Sequence, residues 1–326
     1  MRVRKSVSKT NVLERVNEFD IFKAYIPNFQ ELGKLFTSTL REDKSPTCSI
    51  NKYRGRLLYR DFSMSKSLDC FDYVKLKFDV SFQEALEIIN LDFNLNLLPK
   101  KVIRHAPKPA KITNFDIDKV SNSPAEIKVQ LRKWDLNDKS YWNFKYDITV
   151  KELKLFKVYP LAGFWVNDTY FKAGKFSYGY YFGKAEDGRD LWKIYQPYDK
   201  NHKWFANINP NIFQGIHQLP LSGDQLVITK SLKDVIILYK LGINAIAPQA
   251  ESIKVTPDFM ESLRRRFKNI VLLYDNDAPG IRATEEFVAE HGVPHFYMPQ
   301  GVKDASDFVE DYGIDVLQEY LDEIWM

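Results

Sequence analysis

Two carboxylates one residue apart, Asp275 and Asp277, close an apolar run in the stretch Asn269–Gly280, which reads N-I-V-L-L-Y-D-N-D-A-P-G. Acids at i and i+2 on a chain leaving a strand can turn toward one hard cation, which takes oxygen ligands. Ile270–Tyr274 has the unbroken apolar character of a strand buried on both faces of a parallel sheet. Ala278-Pro279-Gly280 then leads into Ile281–Glu290, a predicted helix with Pro279 near its first turn and Gly292 just past its end. Open α/β sheets place their ligands at the carboxyl ends of the strands. Taken alone, the stretch reads equally well as a metal rim or as a solvated turn with incidental acids.

The flanking elements must hold these acids in place. Leu226–Thr229 is an apolar strand, Leu232–Leu241 a helix ended by Gly242, and Ala245–Pro248 a second strand. Phe259–Phe267 reads as a helix carrying Arg264, Arg265 and Arg266 toward its C-terminus, with Lys268 beyond, where positive charge suits the helix dipole. His295–Met298 is expected as a further strand, followed by K-D-A-S-D-F with Asp304 and Asp307. Alternation of strand and helix at this spacing predicts a parallel sheet with right-handed crossovers.

Upstream, Asn11–Tyr25 has apolar residues at helical spacing, and Thr47–Ile50 and Leu57–Phe62 read as strands around an Arg54-Gly55 turn. Phe71–Lys77 and Ser81–Ile89 are predicted helices, the second with Ser81 and Glu84 as a capping box. Arg54, Arg56, Arg60 and Lys66 lie among Tyr53 and Tyr59, and Lys193 and Lys203 lie in a later aromatic stretch. Cations interleaved with aromatics suit single-stranded nucleic acid, through phosphate neutralisation and base stacking, and equally describe a solvated basic face. Tyr178–Phe182, Leu191–Gln196 and Lys203–Phe205 alternate like strands.

Charge is divided unevenly. Residues 1–111 carry 21 Lys and Arg against 13 Asp and Glu, and the rest 26 against 30, which together make the net +4 of the 326-residue chain. A basic front and an acidic back suggest a polyanion-binding part joined to one that gathers carboxylates. Only Cys48 and Cys70 are present, which excludes a disulfide framework and a cysteine-rich metal site. The basic first residues lack a following apolar segment, and no apolar run reaches the length of a membrane span. The expectation is a soluble, cytoplasmic protein with no membrane partner.

The N-terminal blocks L-R-E-D-K-S-P-T-C-S-I, L-L-Y-R-D-F, C-F-D-Y-V and V-S-F-Q-E-A-L resemble the zinc-ribbon module of DnaG-type primases. On that pattern the four metal positions fall on Ser38, Arg41, Asp61 and Met64, of which only Asp61 is a zinc ligand, so no zinc is expected. Tyr59, Phe62, Phe71 and Tyr73 are expected to supply the packing instead. The later order resembles the TOPRIM domain shared by these primases, topoisomerases and some nucleases. D-N-D-A-P-G matches the family's Asp-x-Asp element, Asp234 the Asp of its first element, and K-D-A-S-D its late acidic cluster, the last acid displaced by one position. F-Q-G-I-H-Q-L-P ahead of the first strand is also similar to primases.

One departure is chemical. Where the family has Glu-Gly, this chain has Lys230-Ser231, and lysine cannot act as a carboxylate. Either the site is dead, or Glu251, just after the second strand, takes over that work and leaves Lys230 to touch a phosphate of the incoming nucleotide. Glu251 also reads as a cap for a helix near Ser252–Asp258.

The resemblance implies a multidomain α+β and α/β protein. Its parts would be a zinc-ribbon-like, zinc-less template module at 1–98, a basic Pro-rich linker at 99–123, a mixed α+β subdomain at 124–223, a TOPRIM domain with a central parallel sheet at 224–310, and a C-terminal helix at 311–326. It implies a bacteriophage-like DNA primase, a DNA-directed RNA polymerase making RNA primers on single-stranded DNA by nucleotidyl transfer in DNA replication. Asp275, Asp277, Asp304 and Asp307 are the expected Mg²⁺ (or Mn²⁺) ligands, and Glu251, Asp234, Asp275 and Lys230 the catalytic group. Ribonucleoside triphosphates and template DNA are the expected partners, with a separate replicative helicase, since no G-x-x-x-x-G-K-[ST] loop occurs. If phage-encoded, the protein would act in the host cytoplasm. The rivals are a catalytically inactive TOPRIM protein that binds single-stranded DNA, and a TOPRIM nuclease.

Overall fold

The computed structural model describes residues 7–64, 66–97, 125–250 and 253–325, and the fold is a mixed α/β multidomain one. Two units separate by their internal contacts: Met1–Ile103 with Asp135–Val150, and Arg104–Trp134 with Lys151–Met326. The expected linker at 99–123 lies outside the described residues.

The first unit opens with α1 (Lys9–Leu13) and α2 (Glu18–Tyr25). These replace the single expected helix because Asn17 acts as a cap, its side chain accepting from the Asp20 N–H. The hairpin of β1 (Cys48–Tyr53) and β2 (Arg56–Asp61) turns at Arg54 and Gly55, whose φ of 48° and 85° are those a two-residue primed turn requires. Helices α3 (Cys70–Phe78) and α4 (Phe82–Asp92) follow, the latter with the expected Ser81–Glu84 capping box. Tyr59, Phe71 and Tyr73 are buried in the core as expected. Phe62 is not: it is 66% exposed, because the alternation that turns Tyr59 and Asp61 inward turns its neighbour out.

This unit also holds α5 (Leu136–Tyr146), a stretch placed by sequence in the following subdomain. The physical tie is a buried ion pair, Lys75 Nζ to Asp147 Oδ1 at 3.0 Å, with the Phe82 N–H also donating to Asp147. The Asn143 amide adds a bond to the Val80 carbonyl.

Of the four positions that the resemblance assigns to zinc, two form an ion pair, Arg41 with Asp61. The Arg41 guanidinium forks onto the fully buried Asp61, with Nε to Oδ2 at 3.0 Å and Nη2 to Oδ1 at 3.1 Å. It also meets Asp43 at 3.2 Å and donates to Thr47. The Ser38 hydroxyl shares a hydrogen bond with Tyr59, and Met64 is buried. A planar guanidinium matches a carboxylate with two parallel bonds, so one residue both neutralises and orients Asp61.

In the second unit an antiparallel sheet runs in the order β3-β4-β6-β7-β8, with β5 added on β4. Its strands are β3 (Ile127–Leu131), β4 (Val158–Val166), β5 (Thr169–Lys172), β6 (Tyr178–Lys184), β7 (Asp190–Tyr195) and β8 (Trp204–Ala206), with α6 (Val150–Leu155) between the first two. The sequence then alternates through β9 (Gly223–Ile228), α7 (Leu232–Lys240), β10 (Ala245–Ile246), α8 (Pro257–Arg266), β11 (Phe267–Leu272), α9 (Ala278–His291), α10 (Ala305–Tyr312) and α11 (Ile314–Trp325). The parallel sheet has order β10-β9-β11, and Ile228 pairs with both Ile246 and Leu272, so all three strands end on one rim. The further strand expected at His295–Met298 is reduced to one bridge, His295 to Leu272. Pro294 and Pro299 bound it, and neither can donate to a ladder. No helix among the described residues is long and apolar enough to cross a membrane.

Arg41→Ala would strand the buried Asp61 charge. Urea unfolding should show a loss of about 3 kcal/mol, the low end for breaking a buried pair because Arg41 keeps 27% exposure. A change within error would mean that Asp61 does not depend on the guanidinium.

Candidate metal centre

Each acid on the rim is placed by a local backbone rule. After β11 the chain continues through Leu273, whose N–H still bonds to the Ile228 carbonyl, into buried Tyr274 and Asp275. Asp277 is the N-cap of α9, its Oδ1 accepting from the Gly280 N–H at 2.9 Å. Gly280 is required for packing: a Cβ there would lie 2.2 Å from the Asp275 carbonyl oxygen. Asp304 is likewise the N-cap of α10, its Oδ1 accepting from the Asp307 N–H at 2.8 Å and the Ser306 hydroxyl at 2.7 Å. Asn276 ties the two caps together, its N–H donating to the Lys303 carbonyl and its amide to that of Met298.

Asp234 lies behind this rim in the first turn of α7 and is fully buried. Its Oδ1 accepts the Ser306 N–H at 2.9 Å and its Oδ2 the Ser231 hydroxyl at 2.6 Å. Burial, with the nearby Asp304 charge added, pushes its carboxyl up to about 8. Two acceptor bonds hold the N-terminus of α10 against the N-terminus of α7, so Asp234 positions the rim rather than facing outward from it.

The centre of the site is Asp275. It is fully buried, and its Oδ2 receives the ammonium groups of Lys230 and, at 3.1 Å, Lys303. Lys303 also meets Asp277 Oδ2 at 2.8 Å. Asp275 Oδ1 is buried with no hydrogen-bond partner. Burial pushes the Asp275 carboxyl up to about 6 in spite of Lys230, and Asp304 adds to the rise. Asp277 is held below the usual range by its bond to Lys303 and by the Gly280 N–H, and Lys303 is raised in return, chiefly by Asp277. Asp307 is raised by burial and by Asp304.

The structure thus brings together Lys230, Asp234, Asp275, Asp277 and Asp304, all singled out by sequence. Asp307 stands one turn into α10, with Asp304, Lys233, Glu310 and Lys303 as its charged neighbours. Glu251 lies outside the described residues. Lys303, paired with Asp275 and Asp277, also lies at this site and was left unassigned by the sequence, although its place directly before Asp304 was the available signal. Ser306 and Asn276 were also missed, because hydrogen bonds across 72 or 22 residues leave no local pattern, whereas Ser231 caps α7 and bonds Asp234 only three residues on.

The donor set is one of hard oxygens, and an orphaned buried carboxylate oxygen is the kind of atom a cation satisfies. Among the described residues no three acidic, imidazole or thiolate side chains converge into a cage as they stand. Mg²⁺ does not need one, since it is commonly held by one or two carboxylates with water and substrate phosphates completing the shell. The residues present therefore fit one such cation.

The basic side chains fall into different surroundings. Arg54 is exposed and stacks over Tyr53, 5.3 Å from its ring centre, while Lys66 lies 4.7 Å above Phe144. Arg56 is paired with Asp69 at 2.7 Å, Arg60 reaches Ser67, and Lys203 is exposed. Lys193 is buried, against the expectation of a nucleic-acid surface. Its ammonium donates to the Gln249 carbonyl at 2.6 Å and sits 4.8 Å from the Trp204 ring centre, and burial lowers it to about 8.

A Toprim-like family model matches residues 227–309, so the segment from β9 into α10 is a Toprim-like domain. Among solved structures the chain is similar to the zinc-binding and RNA polymerase domains of the Aquifex aeolicus primase, at 14% identity over 96% of this chain and 84% of that one, with a TM-score of 0.43. It is also similar to the primase fragment of the bacteriophage T7 primase-helicase protein, at 14% identity over 87% and 97% with a TM-score of 0.40. A DnaG primase catalytic domain bound to single-stranded DNA gives 15% identity over 60% and 74% with a TM-score of 0.46. Sequence comparison with curated proteins finds no match.

The raised Asp234 and Asp275 carboxyls have a sign that can be checked. The folded chain keeps protons that the unfolded chain gives up near the ordinary carboxylate pKa, so stability falls as pH rises between the unfolded and folded values. In EDTA, thermal melts should shift downward from about pH 5 to about pH 8, and Asp234→Asn should flatten the upper half of that slope. An identical slope in the variant would remove the buried proton from Asp234.

Proposed function

We propose that the chain is a primase-type nucleotidyl transferase, making short RNA primers on single-stranded DNA for replication. The observation that carries the reading is the rim of Asp275, Asp277 and Asp304 at the carboxyl ends of parallel strands within a Toprim-like domain, with one buried carboxylate oxygen left unpartnered. A divalent cation held there, Mg²⁺ or Mn²⁺, would neutralise the phosphate charge that builds up as a new phosphodiester forms and pyrophosphate leaves.

The chain's own residues have distinct parts in this reading. Asp277 and Asp304 each commit one oxygen to a helix N-terminus, which fixes the carboxylate plane, and the second oxygen of Asp277 is held by the Lys303 ammonium at 2.8 Å. Asp234 holds the N-terminus of α10 in place through the Ser306 N–H. Lys303 is 45% exposed, so its ammonium can turn from the carboxylates to a nucleotide phosphate. Glu251 is proposed as the carboxylate that replaces the glutamate absent at Lys230. Asp307 is proposed as support for Asp304. Arg54, Arg60 and Lys66, with Tyr53, are proposed to meet template phosphates and bases, and Lys203, in the second unit, is proposed as a separate nucleic-acid contact. Ribonucleoside triphosphates as substrates, a separate helicase, a bacteriophage-like context and cytoplasmic action belong to the same proposal.

One observation favours a second reading. Lys230 lies directly on Asp275, as a counter-ion would in a protein that had lost its chemistry and kept its fold. Such a chain would bind single-stranded DNA at the replication fork without extending it.

Incubation with single-stranded DNA, labelled ribonucleotides and Mg²⁺ separates the two. Primer-length product is expected, and Asp277→Asn should slow it by about two orders of magnitude or more. Retained DNA binding with no product from the wild type would decide for the accessory role. Glu251→Gln should nearly abolish synthesis, and an unchanged rate would take Glu251 out of the site.

A further inference from the structure

We propose that Lys230 is the built-in counter-ion of the rim and occupies the place of one divalent cation, so that the site takes a single Mg²⁺ or Mn²⁺ where an acidic residue at the same strand end would admit two. The inference rests on the metal-dependent reading above and concerns how many ions that site admits.

Charge arithmetic at the strand ends supports it. Asp275, Asp277 and Asp304 contribute three formal negative charges, and Lys230 and Lys303 return two, which leaves −1. Exchanging Lys230 for a carboxylate would change that by two units, to −3, with Lys303 still in place. One divalent cation suits the first balance, and a pair of them suits only the second, because like charges a few ångströms apart repel strongly in a partly buried site.

The two lysines are not equivalent. Lys303 is 45% exposed, follows a surface loop and divides its ammonium between Asp275 and Asp277. Its charge can move into water or onto a phosphate without leaving a buried group alone. Lys230 is only 26% exposed and stands two residues past the buried end of β9, directly on a carboxylate with no exposure at all. Withdrawing it as well, once Lys303 has moved away, would strip Asp275 Oδ2 of both its ammonium partners, a costly state for a buried carboxylate. An incoming cation therefore displaces Lys303 and leaves Lys230 where it is. With Lys303 displaced, the unpartnered Oδ1 of Asp275 and the Oδ2 of Asp277 are open to that one ion.

Mn²⁺ titration of the full chain, followed by the electron paramagnetic resonance signal of the free ion, reads this directly. One Mn²⁺ per wild-type chain and two per Lys230→Glu chain are expected. Should Lys230→Glu fold poorly, Lys230→Gln removes the cation without adding a carboxylate and should tighten Mn²⁺ binding by about tenfold. Equal stoichiometry and affinity in the wild type and both variants, including no binding in any of them, would overturn the role of Lys230. No Mn²⁺ on the wild type but one on Lys230→Glu would uphold that role and overturn the metal-dependent function instead.

Discussion

A carboxylate with no solvent exposure has to be neutralised, and the end of the parallel sheet is built around that requirement at Asp275. The apolar run Ile270–Tyr274 at the end of β11 delivers the acid, and Lys230 arrives from the adjacent strand end to meet it. Nearby features follow from the same demand. Gly280 has no side chain because α9 must start against the Asp275 backbone. Asn276 pins the loop that carries Lys303 and Asp304, so that the second ammonium reaches the same oxygen. Asp234 and Ser306 then lock α7 to α10 behind the rim.

The N-terminal unit solves a similar problem with a different cation. Asp61 is fully buried, and Arg41 binds it through two parallel hydrogen bonds at positions where a zinc-ribbon would hold metal. A guanidinium suits that place because it stays charged and presents a planar fork, whereas an ammonium such as Lys230 offers a compact point charge on a flexible stem. In both units a long cationic side chain neutralises a buried carboxylate. The consequence differs. At Asp61 the pair closes a core with Tyr59, Cys48 and Met64. At Asp275 one oxygen stays unpartnered, so the pair leaves chemistry open.

Helix N-termini give the rim its second organising rule. Asp277 and Asp304 are caps first, each bound to a backbone N–H three residues on, and that bond restricts where the remaining oxygen can lie. The N-terminus of a helix also favours negative charge, so placing acids there costs less than placing them elsewhere on the sheet. Structural role and proposed function coincide in the same atoms, which is why the Asp-x-Asp spacing carries information that a lone acid does not.

Much of this was legible along the chain. The apolar run before Asp275, the proline and glycine around α9, the Ser81–Glu84 box and the Arg54-Gly55 turn are local patterns, and local rules place the elements they belong to. Type and order of strands and helices in the Toprim-like segment follow from periodicity for the same reason. Which side chains neutralise which does not. The partnership of Lys230 with Asp275 spans 45 residues and that of Lys75 with Asp147 joins α5 to the first unit, while Lys193 turned inward instead of to a surface. A sequence sets charge types and spacings, but the demand that a buried charge find a partner is met only when strands from distant parts of the chain end on one rim. The tertiary structure alone decided that the residue standing where a glutamate was expected faces the acids as their counter-ion.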